Sequence, residues 1–325
     1  MIQLLCRRMD EIMTAGFLVF LLVLSSLRGA PIFEPVRQGG LTIRALEGAA
    51  CLLILLLAGK GFGWRALTLR QGIQSFAEYL PYLVALMVYE SLKHLHATAL
   101  TVWLGIHPRD AWMMAADNAI FGKTPYLWLA QWGMDGPAFI SVMGFFYSLY
   151  YVAPVAALVW FMIAGDMERF RLIRRGVLIA LYGGYCFYIL IPVAGPLQAY
   201  TAVNPLFFDH LSSYGYLMDH FRYSFDCFPS LHTAIPWLLV LLCHNKLQRW
   251  LLAIAVIASA GVTLSTIALR FHYGVDVIAG LGWAWMAARL ARLSFSRKSA
   301  QPAINRELPE DASHSLPEQL IGTTQ

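Results

Sequence analysis

The chain has 325 residues, of which 58% are apolar and only 13% are charged, and its mean hydropathy is +0.58. Soluble domains carry about 25% charged residues, so this composition excludes a soluble globule, and it excludes disorder for most of the chain. The net charge of +5 is modest and is read by position along a polytopic membrane protein, not as a nucleic-acid signal.

A spanning helix needs about 20 mostly apolar residues. In chain order, eight candidates fall near residues 12–29, 42–60, 76–95, 138–164, 176–194, 230–244, 249–268 and 276–293. The first has no small-residue cleavage site and reads as a retained helix. Between 96 and 136 the apolar pattern is broken by His107-Pro108-Arg109-Asp110 and Gly122-Lys123-Thr124-Pro125. Trp103, Trp112, Trp128 and Trp132 lie among these breaks, so this stretch is expected to form interfacial helices or a re-entrant segment. Residues 296–325 are rich in Ser, Pro, Glu and Gln, without apolar periodicity, and are expected to be a disordered tail. The expected organisation is two N-terminal helices over 1–75, a catalytic membrane domain over 76–295, and the tail.

Lys and Arg set the orientation. With the N-terminus inside, sixteen of the 24 fall on inner segments, including Arg169, Arg171, Arg174 and Arg175, and eight on outer segments. Both ends are therefore expected in the cytoplasm. Of the five cysteines, three lie in apolar runs and none forms a Cys-x-x-Cys pair, which gives no sign of a zinc or redox motif.

Two segments carry chemistry: Cys227-Phe228-Pro229-Ser230-Leu231-His232-Thr233-Ala234, and Ser265-Thr266 through Arg270-Phe271-His272-Tyr273-Gly274-Val275-Asp276. Both lie at expected helix ends on the outer side. Ionisable groups at membrane depth are costly and mark functional sites. His272 and Asp276 are four apart, so on a helix they share one face. A carboxylate on one ring nitrogen fixes the tautomer and makes the other a better nucleophile. His232, at the start of another helix, is placed to protonate a departing alkoxide. The pairing suits phosphoryl transfer without a metal. A metal site on the two histidines and the aspartate is the alternative, although no acidic or cysteine cluster stands near them in sequence. His94, His96 and His244 read as histidines bonded to neighbouring carbonyls.

Pro229-Ser230-Leu231-His232 and His272-Tyr273-Gly274-Val275-Asp276 resemble the second and third motifs of the type-2 phosphatidic acid phosphatase superfamily. The full segments resemble its inositol phosphorylceramide synthase branch. Asp117-Asn118-Ala119-Ile120-Phe121-Gly122 is similar to an Asp-x-x-x-Phe-Gly element of that branch, and Ile191-Pro192-Val193-Ala194-Gly195-Pro196 to its proline-containing helix end. The resemblance covers about residues 76–293. It implies a six-helix core within an all-α bundle, with His232 as general acid, His272 as nucleophile and Asp276 orienting it. It implies no cofactor and no metal, and a phospholipid or lipid phosphate as substrate at the outer face of the cell membrane.

The first phosphatase motif, Lys then six residues then Arg-Pro, is absent, and Ser265-Thr266 stands where that branch has Ser-Arg. The phosphate then needs other donors. Arg270 is the expected contact, with an interfacial anchor as its alternative. Arg222, Ser230 and Asp117 are further substrate-binding candidates, and Asp117 could equally cap a helix. The long outer loop over about 195–229 is expected either to cover the site or to be a solvated connection. These features point to head-group transfer, with lipid phosphate or polyprenyl diphosphate hydrolysis as the alternative. A non-enzymatic lipid-binding or transport protein is the rival of another class.

Overall fold

The structure, a computed structural model, describes residues 8–28, 76–89, 91–92, 105–201 and 225–296. The expected span at 42–60, most of the 195–229 loop including Arg222, and the tail beyond 296 lie outside these residues.

The described residues form an all-helical bundle: α1 (Met9–Arg28), α2 (Phe76–Tyr89), α3 (Asp110–Phe121), α4 (Pro125–Gln131), α5 (Pro137–Ile163), α6 (Met167–Leu190), α7 (Pro196–Thr201), α8 (Leu231–Cys243), α9 (Arg249–Ala268) and α10 (Gly274–Ser296). Three of them, α5, α6 and α9, are long and apolar enough to cross a membrane. Helix α8 is apolar but has 13 residues, about 20 Å at 1.5 Å per residue. It packs against α10, α9, α6 and α5, at the centre of the bundle.

Local sequence sets the helix ends. Pro125 and Pro137 begin α4 and α5, where a missing N–H costs nothing. Ser230 caps α8 by accepting the Thr233 N–H at 3.3 Å, and Asp166 caps α6 by accepting that of Arg169 at 3.0 Å. That second cap starts α6 at Met167, nine residues before the expected 176. The arginines assigned to an inner loop are therefore helical. Arg174 and Arg175 both bond the buried Asp10 of α1, and Arg171 and Arg174 both bond Glu78 of α2. Ion pairing across three helices, invisible to hydropathy, carries the helix through this polar stretch.

The broken region after residue 104 forms the short helices α3 and α4, with Trp112, Trp128 and Trp132 exposed. Arg109 lies over the Trp112 ring at 4.2 Å, and Lys123 over that of Trp128 at 3.9 Å. The main core joins α6, α8 and α10 to α1 and α2 through Tyr182, Tyr185, Leu231, Leu238 and Ala287. A smaller cluster of Tyr147, Leu197, Leu269 and Phe271 sits at the end of the bundle that holds the histidines.

Candidate active site

His232 occupies the first turn of α8, and His272 lies in the short connection between α9 and α10. Helix α9 ends in a Schellman arrangement: the Arg270 N–H donates to the Ile267 carbonyl at 2.9 Å and the Phe271 N–H to that of Thr266 at 3.0 Å. The His272 N–H shares the Thr266 carbonyl at 3.1 Å. Thr266, standing where the phosphatase branch has arginine, thus fixes the histidine's backbone.

The position that usually takes glycine in this motif is Arg270, at φ 63°. A left-handed conformation costs an L-residue about 1–2 kcal/mol. Arg270 is largely buried, its guanidinium carbon 5.7 Å from the Tyr126 ring centre, and its carbonyl accepts the Leu197 N–H at 2.8 Å. Burial holds its pKa below the usual arginine value, against the pull of Tyr126 and Asp135.

His272 Nδ1 lies 3.5 Å from Asp276 Oδ2, both side chains fully buried. The same oxygen accepts the Tyr273 N–H at 2.9 Å, which anchors the carboxylate. Asp276 is also tied to α8, because its carbonyl accepts the Ser230 N–H at 3.1 Å. The ring centres of His232 and His272 are 5.7 Å apart. At Gly280 an added Cβ would lie 2.5 Å from the Ser230 carbonyl oxygen, so only glycine lets α10 come this close to α8.

Asp117 lies beneath the start of α10. Its two carboxylate oxygens accept the N–H groups of Gly274 at 3.0 Å and Val275 at 2.9 Å. Burial raises its pKa, and those two N–H groups pull the other way. Of its two expected roles, this geometry carries the cap, although the helix capped is not its own. Ser230 is fully buried as the α8 cap.

Three features were not singled out from the sequence. Tyr147 stacks on His232 with ring centres 4.5 Å apart, and Tyr150 lies over it at 4.0 Å. Both come from an aromatic run that reads as ordinary spanning-helix sequence. Asp110 accepts the N–H groups of Ala194 and Gly195 at 3.0 and 2.9 Å and the Tyr273 hydroxyl at 3.1 Å. It fastens the Pro192–Pro196 connection to the residue after His272. Burial, with Asp110 beside it, pushes the Tyr273 phenol well above its usual pKa. Lastly, Cys227 donates its thiol proton to the Phe271 carbonyl at 3.1 Å. Its sulfur, a His272 ring nitrogen and an Asp276 carboxylate oxygen lie within 4.8 Å of one another, so the fold brings a cysteine from the His232 segment to the His272–Asp276 pair.

The arrangement brings together an imidazole faced by a carboxylate and a second imidazole whose ring centre lies 5.7 Å from the first. No curated protein and no solved structure matches the chain. The family model of the PAP2 superfamily matches residues 111–290, more than half of the chain, with Asp117, Cys227, His232, His272 and Asp276 inside the match. The chain therefore belongs to the PAP2 superfamily of membrane phosphatases and phosphotransferases.

Proposed function

We propose that this protein is a lipid phosphotransferase that moves a phospho-head group, as in inositol phosphorylceramide synthesis, through a phosphohistidine on His272. The observation that carries this reading is the buried His272–Asp276 pair, 3.5 Å apart, with the His232 ring centre 5.7 Å from that of His272.

Asp276 faces Nδ1, which leaves Nε2 as the attacking atom. Nε2 forms a bond to phosphorus as the bond from phosphorus to the leaving oxygen breaks. His232, as imidazolium, gives its proton to that oxygen. The now neutral His232 then takes the proton of an incoming hydroxyl, whose oxygen attacks phosphorus and releases His272. Negative charge on the phosphoryl oxygens is met by Arg270 and by Ser230 and the N-terminal turn of α8. The strained backbone of Arg270 supports its part, because strain is retained where the side chain is needed. Asp117 serves the substrate by holding the loop that carries His272.

Transfer rather than hydrolysis is supported by the likeness of Cys227–Ala234 and His272–Gly280 to the synthase branch, and by the missing Lys/Arg-Pro motif. Hydrolysis of a lipid phosphate or polyprenyl diphosphate differs only in that the entering hydroxyl is water. In this reading the chain crosses the membrane about eight times, with the site at the outer leaflet. The arginines at 169–175 and the histidine site lie toward opposite ends of the 24-residue α6, which supports that sidedness.

The test is incubation of purified protein with labelled phospholipids, with and without ceramide or diacylglycerol. A new phospholipid that forms only with the acceptor is the expected result. Free phosphate alone would assign hydrolysis. No labelled intermediate on His272 in samples quenched in alkaline denaturant, where a phosphohistidine survives, would overturn the phosphohistidine.

A further inference from the structure

We propose that Cys227, His272 and Asp276 form a binding site for a thiophilic divalent cation, Zn2+ in the first instance, and that the bound ion blocks the nucleophile. The transfer chemistry uses a histidine nucleophile, a histidine acid and an orienting carboxylate, and none of these steps needs a thiol. Yet a thiol is built into the site. The Cys227 N–H donates to the Val193 carbonyl at 3.2 Å and its sulfur rests on the Phe271 carbonyl at 3.1 Å. Gly195, at φ 90°, makes room for it, since a Cβ there would lie 2.7 Å from the sulfur. These contacts hold the sulfur beside the residue that precedes the catalytic histidine.

Three donors of different type, S, N and O, then lie within 4.8 Å of one another, all on buried residues. Zinc bonds sulfur at about 2.3 Å and nitrogen or oxygen at about 2.0–2.2 Å. Ligand atoms around it therefore sit about 3.3–3.8 Å apart, and small side-chain rotations close the difference. The fourth position falls to water or to His232. A thiolate selects Zn2+ over Mg2+ or Ca2+, which prefer all-oxygen sites. Binding releases the thiol proton to solvent and occupies the imidazole that must attack phosphorus. Zinc in this site is thus an inhibitor, because it takes the carboxylate that orients His272 and withdraws electron density from the ring, and a chelator restores activity. The inhibition rests on His272 being the nucleophile, whereas the binding does not.

The test uses full-length protein in detergent, stripped with EDTA and loaded with Zn2+ alone or Co2+ alone. After removal of free metal, elemental analysis is expected to find one zinc per chain. Cobalt is expected to give a thiolate-to-metal charge-transfer band in the near ultraviolet. Cys227→Ala and Cys227→Ser, the latter keeping a hydroxyl for the Phe271 carbonyl, are expected to lose that band. Both should weaken zinc binding about tenfold or more, since even an outer-shell partner is worth that. Each variant's zinc inhibition curve, scaled to its own metal-free rate, should shift by the same factor. Zinc binding unchanged in both variants, or no stoichiometric zinc in the parent protein, would overturn the site. One zinc per chain with the thiolate band, but rates unaffected by zinc, would keep the site and overturn the blockade. A protein inactive on every phospholipid tried, yet binding one zinc through Cys227, would count against the functional reading alone.

Discussion

Asp117 Oδ2 lies 3.0 Å from the backbone nitrogen of Gly274, so α10 is capped by a side chain 157 positions earlier in the chain. Its other oxygen takes the Val275 N–H, and these two groups would otherwise be buried without partners. An unsatisfied buried donor costs about 1–3 kcal/mol. Asp117→Ala is therefore expected to lower the melting temperature and, because His272 lies two residues before Gly274, to lower kcat with little change in KM. Asp117→Asn keeps one acceptor oxygen and should fall between. Thermal melts and steady-state kinetics on the three proteins check this. A rise in KM with kcat intact would make Asp117 a head-group contact instead.

Arg270 sits where a Schellman motif normally has glycine. Arg270→Gly removes the left-handed strain, worth about 1 kcal/mol, and with it the cation. The expected outcome is a protein that melts no lower than the parent but turns over lipid substrate far more slowly. Arg270→Lys keeps the charge and the strain and should retain more activity than the glycine variant. If the glycine variant kept full activity, Arg270 would be an anchor and the phosphate would need another cation.

The grouping of His232, His272 and Asp276 was legible because its signals are local. His272 and Asp276 are spaced by one helical turn, and His232 follows a serine cap that can be read directly from Pro229-Ser230-Leu231-His232. The same holds for α3 and α4, whose tryptophans and proline and glycine breaks announce short helices. The position of Cys227 beside His272 was not legible. Its approach to His272 depends on a glycine at 195 and on a connection held by Asp110, and neither leaves a periodic trace. The helical state of Arg174 and Arg175 was hidden for a similar reason. Their partner Asp10 lies on α1, and charge counting treats paired and unpaired arginines alike.

That ion cluster gives a stability prediction. Asp10 is fully buried and bonds Arg174 at 2.7 Å and Arg175 at 2.7 Å. Removing one partner of a buried pair costs about 3–5 kcal/mol, because the remaining charge stays uncompensated. Asp10→Ala is expected to reduce the melting temperature in detergent sharply. Lys246→Ala breaks the exposed pair with Asp166 at 3.6 Å and should change stability by about 1 kcal/mol or less. Equal effects would mean that the buried cluster is hydrated in the membrane protein.

The roles of the two histidines separate by leaving group. If His272 attacks, His272→Ala leaves no atom to carry the phosphoryl group, and every substrate fails alike. If His232 donates the proton, its removal costs about 10² to 10⁴ in rate on a lipid ester, whose alkoxide leaves poorly. On p-nitrophenyl phosphate, where the phenolate leaves without a proton, the loss should be much smaller. Tyr147 and Tyr150 pack on the His232 ring, so His232→Gln, which fills more of that space than alanine, guards against collapse of the aromatic cluster. Asp276→Asn should be intermediate, because the imidazole remains but is poorly oriented. The measurement is turnover of both substrate types in all four variants. Rescue of His272→Ala, and not of His232→Ala, by the activated ester would exchange the two roles. Small, equal losses in both would return the histidines to a packing role and take the phosphohistidine with them.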